Sequence, residues 1–294
     1  MTRSGRIAYS FGSAVFILVL LVLTITGPGR AEPAQSGSPV QTQSITVASF
    51  NVEHFGWAGQ YLKNLEVLAT ELAKYDFVAL QEVMKLSGTC QTQRCYSCSG
   101  SLCHLDRLVS TLDSVTSLVW AYQAEGPFSH GTEIEYYVFL YRTDKISYLN
   151  QRGTASDFGI PFEVRPPMYA KFRSGSFDFY AVDYHAPSDT PLPDVSKLCE
   201  VLKRLQALDP YERDVILFGD FNLVNLPLSD CGFERLVMKP TKGPNSIDTI
   251  LIDDRFTGHE LSGEADTDDA PVLSGVSDHA LVWAKFWTSV PDDD

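Results

Sequence analysis

Gly219-Asp220-Phe221-Asn222 and Ser277-Asp278-His279 each set hard oxygen donors at the end of an apolar run, the second with an imidazole beside them. Val215-Ile216-Leu217-Phe218 leads into the first, and Ala280-Leu281-Val282-Trp283 leaves the second. Such short apolar runs read as buried strands, and strand ends are where two-sheet and α/β enzymes collect their chemistry. A carboxylate with an amide two residues on, joined to an Asp-His pair, suits metal-assisted attack of water on a phosphate ester.

Further oxygen donors stand at other strand ends: Asn51 after Val47-Ala48-Ser49-Phe50, and Glu82 after Phe77-Val78-Ala79-Leu80. Asn51, Glu82, Asp220, Asn222 and Asp278 together suit Mg²⁺, Mn²⁺ or Ca²⁺, whereas zinc would want His and Cys. Hydrolysis of a phosphodiester also needs one proton taken from water and one given to the leaving oxygen. Imidazoles do this near neutral pH, which singles out His185 and His279 among the six histidines. His54, His104, His130 and His259 read as surface residues. Arg165 precedes Pro166-Pro167, which fixes its backbone and offers it to a phosphate. Lys171 and Arg173, on the same stretch, read equally as a solvated strand face. The acidic stretch 264–269 reads as a solvated loop, because it lacks the Gly and terminal Glu of an EF-hand.

The elements that must position these groups follow from hydrophobic periodicity. Strands are expected at Ile45–Asn51, Phe77–Leu80, Trp120–Ala124, Tyr136–Tyr141, Ile146–Leu149, Met168–Phe172, Phe177–Tyr184, Val215–Phe218, Ile247–Ile252 and Ala280–Phe286. Helical spacing predicts a helix over 61–74, a second around Leu105, Leu108 and Leu112, and a third around Leu198, Leu202 and Leu205. Two runs of strands, helix, strands argue for an α+β architecture: a four-layer α/β/β/α sandwich of two packed, mostly antiparallel sheets flanked by helices.

The first 31 residues are separate in kind. Arg3 and Arg6 precede the apolar run 14–23, which softens into Gly27-Pro28-Gly29 and a small residue at Ala31. This is the layout of a secretory signal, with an uncleaved membrane anchor as the alternative. Residues 32–44 read as a flexible linker, 45–288 as the folded domain and 289–294 as a disordered acidic tail. With 23 basic residues against 37 acidic, the net charge is −14. Loss of the first 31 residues would remove three arginines and no acid. So acidic a chain has no broad basic face for nucleic acid and must hold phosphate with cations and a few local Arg and Lys side chains. Six cysteines in an exported chain imply disulfides, in preference to a zinc site in the cluster Cys90, Cys95, Cys98 and Cys103. Pairing inside that cluster stays open, and Cys199 with Cys231 follows by elimination.

Taken in order, Asn51 in Ser49-Phe50-Asn51-Val52, Glu82 in Leu80-Gln81-Glu82-Val83, His185, Gly219-Asp220-Phe221-Asn222, Ile247-Asp248 and Ser277-Asp278-His279 resemble the endonuclease/exonuclease/phosphatase superfamily. The resemblance spans about Ile45 to Phe286. Three stretches look closest to its deoxyribonuclease I-like branch: 135–142, Arg165-Pro166-Pro167 and His185-Ala186-Pro187-Ser188-Asp189. The resemblance implies that Glu82 holds the metal and that Asp220 polarises the attacking water or holds the metal. It has Asn222 grip a phosphate oxygen, Glu135 orient His185, and Asp248 orient His279. It further implies a Mg²⁺ enzyme, with Mn²⁺ able to substitute and a structural Ca²⁺ conceivable, acting as a monomer on phosphodiesters with DNA as first substrate.

Three departures bear on substrate. Thr249 follows Asp248 where related nucleases carry Arg or Tyr. The stretch before Glu135 lacks the aromatic and basic residues of a minor-groove reader, and Glu133 there repels a backbone. The cysteine loop after Glu82 has no counterpart in the resemblance and is placed to rim the cleft. The acidity of the chain, Glu133 and Thr249 favour the alternative of a phosphatase or phosphodiesterase acting on lipid head groups or small phosphorylated molecules, while His185-Ala186-Pro187-Ser188 and Glu135 favour the nuclease. A catalytically dead binding module is the third reading, opposed by the intact set of two histidines and five oxygen donors.

Overall fold

A strand covered on both faces must be apolar at every position, and Phe77–Leu80 and Val215–Phe218 meet that condition. In the computed structural model both lie in the middle of six-stranded sheets. The structure describes residues 43–289, apart from 94, 99, 210 and 212. The signal-like segment, most of the linker and nearly all of the acidic tail therefore lie outside the described residues.

The strands are β1 (Ser44–Phe55), β2 (Phe77–Met84), β3 (Trp120–His130), β4 (Glu133–Arg142), β5 (Ser147–Thr154), β6 (Met168–Ser174), β7 (Phe177–His185), β8 (Val215–Asp220), β9 (Glu234–Arg235), β10 (Asp248–Ile252), β11 (Glu260–Asp268) and β12 (Leu281–Trp287). They form two sheets, ordered β11-β12-β1-β2-β4-β3 and β5-β6-β7-β8-β10-β9. The helices are α1 (Leu65–Leu72), α2 (Gly88–Gln93), α3 (Cys103–Thr116), α4 (Pro191–Val195), α5 (Leu198–Leu208) and α6 (Ala270–Leu273).

The alternation of side chains along each strand builds the layers. From β2, Phe77 and Ala79 join Phe139, Phe172, Phe179 and Phe218 in the core between the sheets. Val78 and Leu80 point the other way, onto Leu68, Leu72, Leu105, Leu108 and Leu112 of α1 and α3. In β8, Ile216 and Phe218 enter the inter-sheet core, while Val215 and Leu217 pack on Val201, Leu202 and Leu205 of α5. The result is the expected α/β/β/α sandwich.

Two local expectations are corrected. The helix expected over 61–74 begins only after Asn64, whose side chain accepts from the amides of Glu66 and Val67 and so fixes the start of α1. Gly59–Tyr61 form a separate 3₁₀ turn, and Leu62 is exposed between them. The acidic stretch 264–269 is a strand rather than a loop for most of its length: through Asp268 it is the sheet edge β11, and Lys74, Lys239 and Lys285 pair with Asp268, Asp266 and Glu264. Those lysines offset the repulsion among neighbouring carboxylates along the edge strand.

All six cysteines are oxidised, as Cys90–Cys95, Cys98–Cys103 and Cys199–Cys231. No helix among the described residues is long and apolar enough to cross a membrane.

Candidate active site

The site lies where both sheets end together. β1 and β2 run parallel in one sheet, as do β7 and β8 in the other, so Asn51, Glu82, His185 and Asp220 leave their strands at one edge. In register, Asp220 has His185 of β7 on one side and Asp248 of β10 on the other. His279 precedes β12 and brings the first sheet to the same point. Glycine is required at 219, because a Cβ there would stand 2.0 Å from the Tyr184 carbonyl oxygen. Glu82 sits at a break in register between β2 and β4 with φ of +57°, a bulge that re-aims its side chain.

Each histidine is held by its own carboxylate. His185 Nδ1 lies 2.9 Å from Glu135 Oε1, and His279 Nδ1 lies 2.9 Å from Asp248 Oδ2. This leaves both Nε2 atoms facing one oxygen, Asp220 Oδ2, at 3.9 and 3.7 Å. Both separations are longer than a hydrogen bond. Burial disfavours charge on His279, yet Asp248 and Asp220 outweigh it and hold its proton up to about 9. His185 moves in the same direction, with Glu135 overcoming burial. Burial also works against the Glu135 carboxylate, but His185 and Arg165 hold it down at about 2.

The donor set fits a divalent cation. Glu82 Oε1 and Asp220 Oδ2 share the Asn51 side-chain amide, at 2.9 and 3.0 Å. They also lie 4.0 and 3.9 Å from His185 Nε2. Burial, and then the neighbouring Asp248 charge, push the Asp220 carboxyl up. A cation is the group that would relieve this crowding of buried acids. Asp220, Asp248 and His279 also place ligand atoms within 4.8 Å of one another. There, however, His279 Nδ1 is engaged by Asp248, so that trio is a positioned imidazole, and Glu82 with Asp220 is the better pair of metal donors.

The remaining expected residues fall differently. Asn51 points its amide nitrogen at the two acids and its Oδ1 at the Glu53 amide, so it spaces the carboxylates. Asn222 donates one of its two amide hydrogens to the Ala186 carbonyl. Asp278 lies at the rim, half exposed, 2.8 Å from Lys242. Arg165, expected at the substrate phosphate, is instead buried behind the site. Its donors meet Glu135 and the carbonyls of His185 and Ala186, so it braces the Glu135–His185 pair. Lys171 is buried beside Asp178 and Asp209, far along β6 from this edge, while Arg173 is exposed. Thr249 is buried with its hydroxyl donating to the Val237 carbonyl.

Three of the four histidines expected at the surface are not there. His104 is buried edge-on against Phe55, and His259 is buried against Phe177. His54 is half-buried with Nδ1 3.0 Å from Glu82 Oε2. Only His130 is exposed.

Two further residues belong to the site. Lys242 Nζ lies 2.9 Å from His279 Nε2, held by a tight turn in which residues 242 and 245 pair. Gln81 donates 2.6 Å to buried Asp183, beneath Glu82 and His185. The Gln81-Glu82 dipeptide was a signal for the second, whereas a lone lysine in a turn carried none for the first.

No family model matches the chain. Over 186 residues it is 30% identical to a deoxyribonuclease of Thioalkalivibrio sp. (strain K90mix), which covers 61% of this chain and 46% of that protein. Over 200 residues it is 25% identical to deoxyribonuclease-1 of Gallus gallus, covering 65% of this chain and 62% of the relative. The chain thus spans about half to three-fifths of the length of these curated relatives. Among solved structures, an endonuclease/exonuclease/phosphatase family protein from Bacteroides thetaiotaomicron superposes with a TM-score of 0.59 at 17% identity, over 85% of this chain and 97% of that one. That likeness shows the fold.

Proposed function

We propose that this chain, deoxyribonuclease I-like in its relatives and endonuclease/exonuclease/phosphatase in its fold, is an exported phosphodiesterase that cuts DNA with the help of a divalent cation. The observation that carries the reading is the pair of imidazoles, each fixed at Nδ1 by a buried carboxylate, that present Nε2 to the same oxygen of Asp220. Such a pair supplies the two proton transfers that hydrolysis requires. His279, which keeps its proton to about 9, is the donor to the leaving oxygen. His185 takes the proton of the attacking water, and Asp220 between them orients that water. Lys242 and the second amide hydrogen of Asn222 hold non-bridging phosphate oxygens.

Glu82 and Asp220 would hold the cation, Mg²⁺ in first place, which supplies Lewis-acid stabilisation of charge on the phosphoryl oxygens. The three disulfides support export, since such bonds persist in oxidising compartments.

A second reading, hydrolysis of a small phosphoester, is favoured by the acids at the rim. Glu133 meets the far side of the His54 ring that touches Glu82, and Glu53 pairs with Lys63 nearby, so negative charge gathers beside Glu82 and disfavours a long polyanion. One panel separates the two: residues 32–294 with Mg²⁺ on plasmid DNA, RNA, sphingomyelin and inositol phosphates. Nicking of the plasmid supports the nuclease. Turnover of the lipid or inositol substrates alone would replace it with the second reading.

A further inference from the structure

His54, Trp57 and Tyr61 form a compact aromatic group beside Glu82. The His54 ring is 4.5 Å from that of Trp57 and 4.6 Å from that of Tyr61, and Trp57 meets Tyr61 edge to face at 5.8 Å. His54 Nδ1 lies 3.0 Å from Glu82 Oε2, and its Nε2 lies 3.4 Å from Glu133 Oε1. Trp57 is therefore one ring removed from a carboxylate of the catalytic centre. All three rings are half-buried, so each keeps an open portion. The segment leading into them holds Glu53 and His54 at φ of +48° and +52°. Non-glycine residues accept that conformation where the surroundings impose it, often at ligand clamps.

Trp57 also lines a cavity of about 480 Å³ whose other walls include Lys85, Gly88, Gln91, Thr132 and Ile134. Lys85 is exposed and makes no ion pair among the described residues, which is unusual in a chain of net charge −14. The Cys90–Cys95 disulfide closes the helix that carries Gly88 and Gln91, fixing that wall. The volume suits a ligand of nucleotide size. An indole and an unpaired ammonium lining one cavity are the pairing that single-stranded nucleic acid uses, base on ring and phosphate on cation.

We infer that this cavity is a subsite for one unpaired nucleobase of the polynucleotide being cut, with Trp57 stacking on the base and Lys85 holding the adjoining phosphate. The inference rests on the phosphodiesterase reading above and adds a substrate preference to it. Inside a duplex both faces of a base are covered by its neighbours, so stacking on Trp57 selects single strands, ends or unpaired stretches. The acidic rim is consistent with this: a flexible single strand can turn away from Glu53 and Glu133, whereas a stiff duplex cannot.

The test compares wild type, Trp57→Ala, Trp57→Phe and Lys85→Glu on a short single-stranded oligonucleotide, on its duplex and on bis(p-nitrophenyl) phosphate. Wild type should show the higher kcat/KM on the single strand. Trp57→Ala should lose at least tenfold more on the single strand than on the small diester, and Trp57→Phe should recover most of that loss. Lys85→Glu alters an exposed residue, so its folding is secure, and it should show the same selective loss. In EDTA, the oligonucleotide should quench the tryptophan fluorescence of wild type but not of Trp57→Phe. Equal losses on both substrates for Trp57→Ala and Lys85→Glu would overturn the subsite. Cleavage of the small diester with no quenching by oligonucleotide would also overturn it and leave the phosphodiesterase intact. No turnover of any substrate would sink the parent reading, and the quenching experiment would then decide the subsite alone.

Discussion

Nε2 of His185 and Nε2 of His279 face one oxygen, Asp220 Oδ2, from 3.9 and 3.7 Å, although one histidine ends a strand of the second sheet and the other precedes a strand of the first. This constellation thus exists only while the two sheets are packed. The phenylalanine core between them, rather than any one loop, sets its geometry.

Replacing either imidazole should therefore remove a proton transfer. His185→Ala and His279→Ala are each expected to lower kcat by about 10²–10⁴-fold. The double variant should be little worse than either single one, because the pair acts as a unit. His279→Ala also leaves Asp248 buried without its partner, at a cost of about 1–3 kcal/mol. Single-turnover assays on plasmid DNA, with thermal melts alongside, check both. A variant retaining more than a tenth of wild-type rate would remove that histidine from the mechanism.

On the proposed function, the oxygens of Glu82 and Asp220 would hold the cation. EDTA should abolish hydrolysis, and Mg²⁺ or Mn²⁺ should restore it. Mg²⁺ should also raise the melting temperature of wild type, because a ligand bound only by the folded state stabilises it. Glu82→Gln should abolish both the activity and that rise. Activity that persists in EDTA would exclude the cation from the reaction.

Much of this site was legible because its residues stand at the ends of strands that are apolar throughout. Burial on both faces forces a continuous run, and the run points to its own end, as at Leu80-Gln81-Glu82 and Phe218-Gly219-Asp220. What was not legible depends on where a long side chain turns. Arg165-Pro166-Pro167 announces a stiff backbone but not that the guanidinium points inward to Glu135. Lys242 sits in a turn with no period, so nothing in its neighbours predicts an ammonium beside His279. His104 and His259 looked like surface residues because imidazole is polar, yet each lies against an aromatic ring in the core. Burial of this kind depends on tertiary packing, which composition does not report.

His279 and His104 shape the pH dependence of stability in opposite senses. Folding holds the proton of His279 up to about 9 against an ordinary 6.5. The stabilisation is complete below about 6.5 and is lost as pH rises toward 9. His104 moves oppositely: burial pushes it down to about 4, so stability is lost as pH falls from 6.5 toward 4. Glu135, held at about 2, adds a further loss between 4.5 and 2. Urea midpoints measured in EDTA should therefore be highest near neutrality. His279→Gln should flatten the alkaline limb and His104→Phe the upper part of the acid limb. An unchanged alkaline limb in His279→Gln would assign it elsewhere.

Lys242 offers a cleaner probe than either histidine, because both it and its partner Asp278 are half exposed. Lys242→Met should leave the melting temperature within a degree or two, as exposed pairs contribute only about 0–1 kcal/mol. If its ammonium holds a phosphate oxygen, kcat/KM should fall on the order of tenfold or more, since hydrogen bonds to charged groups are worth about 1.5–3 kcal/mol. Lys242 also opposes the proton on His279. Its removal should shift the alkaline limb of the pH–rate profile upward. A drop in melting temperature with unchanged kcat/KM would make Lys242 structural.

The disulfides should contribute unequally to stability. Cys199–Cys231 links residues 32 apart, whereas Cys90–Cys95 and Cys98–Cys103 each span only 5. On the chain-entropy account, a crosslink stabilises by restricting the unfolded chain, and its effect grows with the logarithm of the loop. The long loop is then worth about 3–4 kcal/mol and each short one about 2 kcal/mol. Cys199→Ser/Cys231→Ser should lower the melting temperature by roughly 10 °C, given about 2–4 °C per kcal/mol for a domain of this size. Its kcat should stay near wild type, because this bridge ties the first turn of α5 to the Leu228–Phe233 segment, away from the histidines. A larger loss of stability on removing Cys90–Cys95 would mean that the short bridges act by holding native packing around Leu86 and Tyr96, not by restricting the unfolded chain.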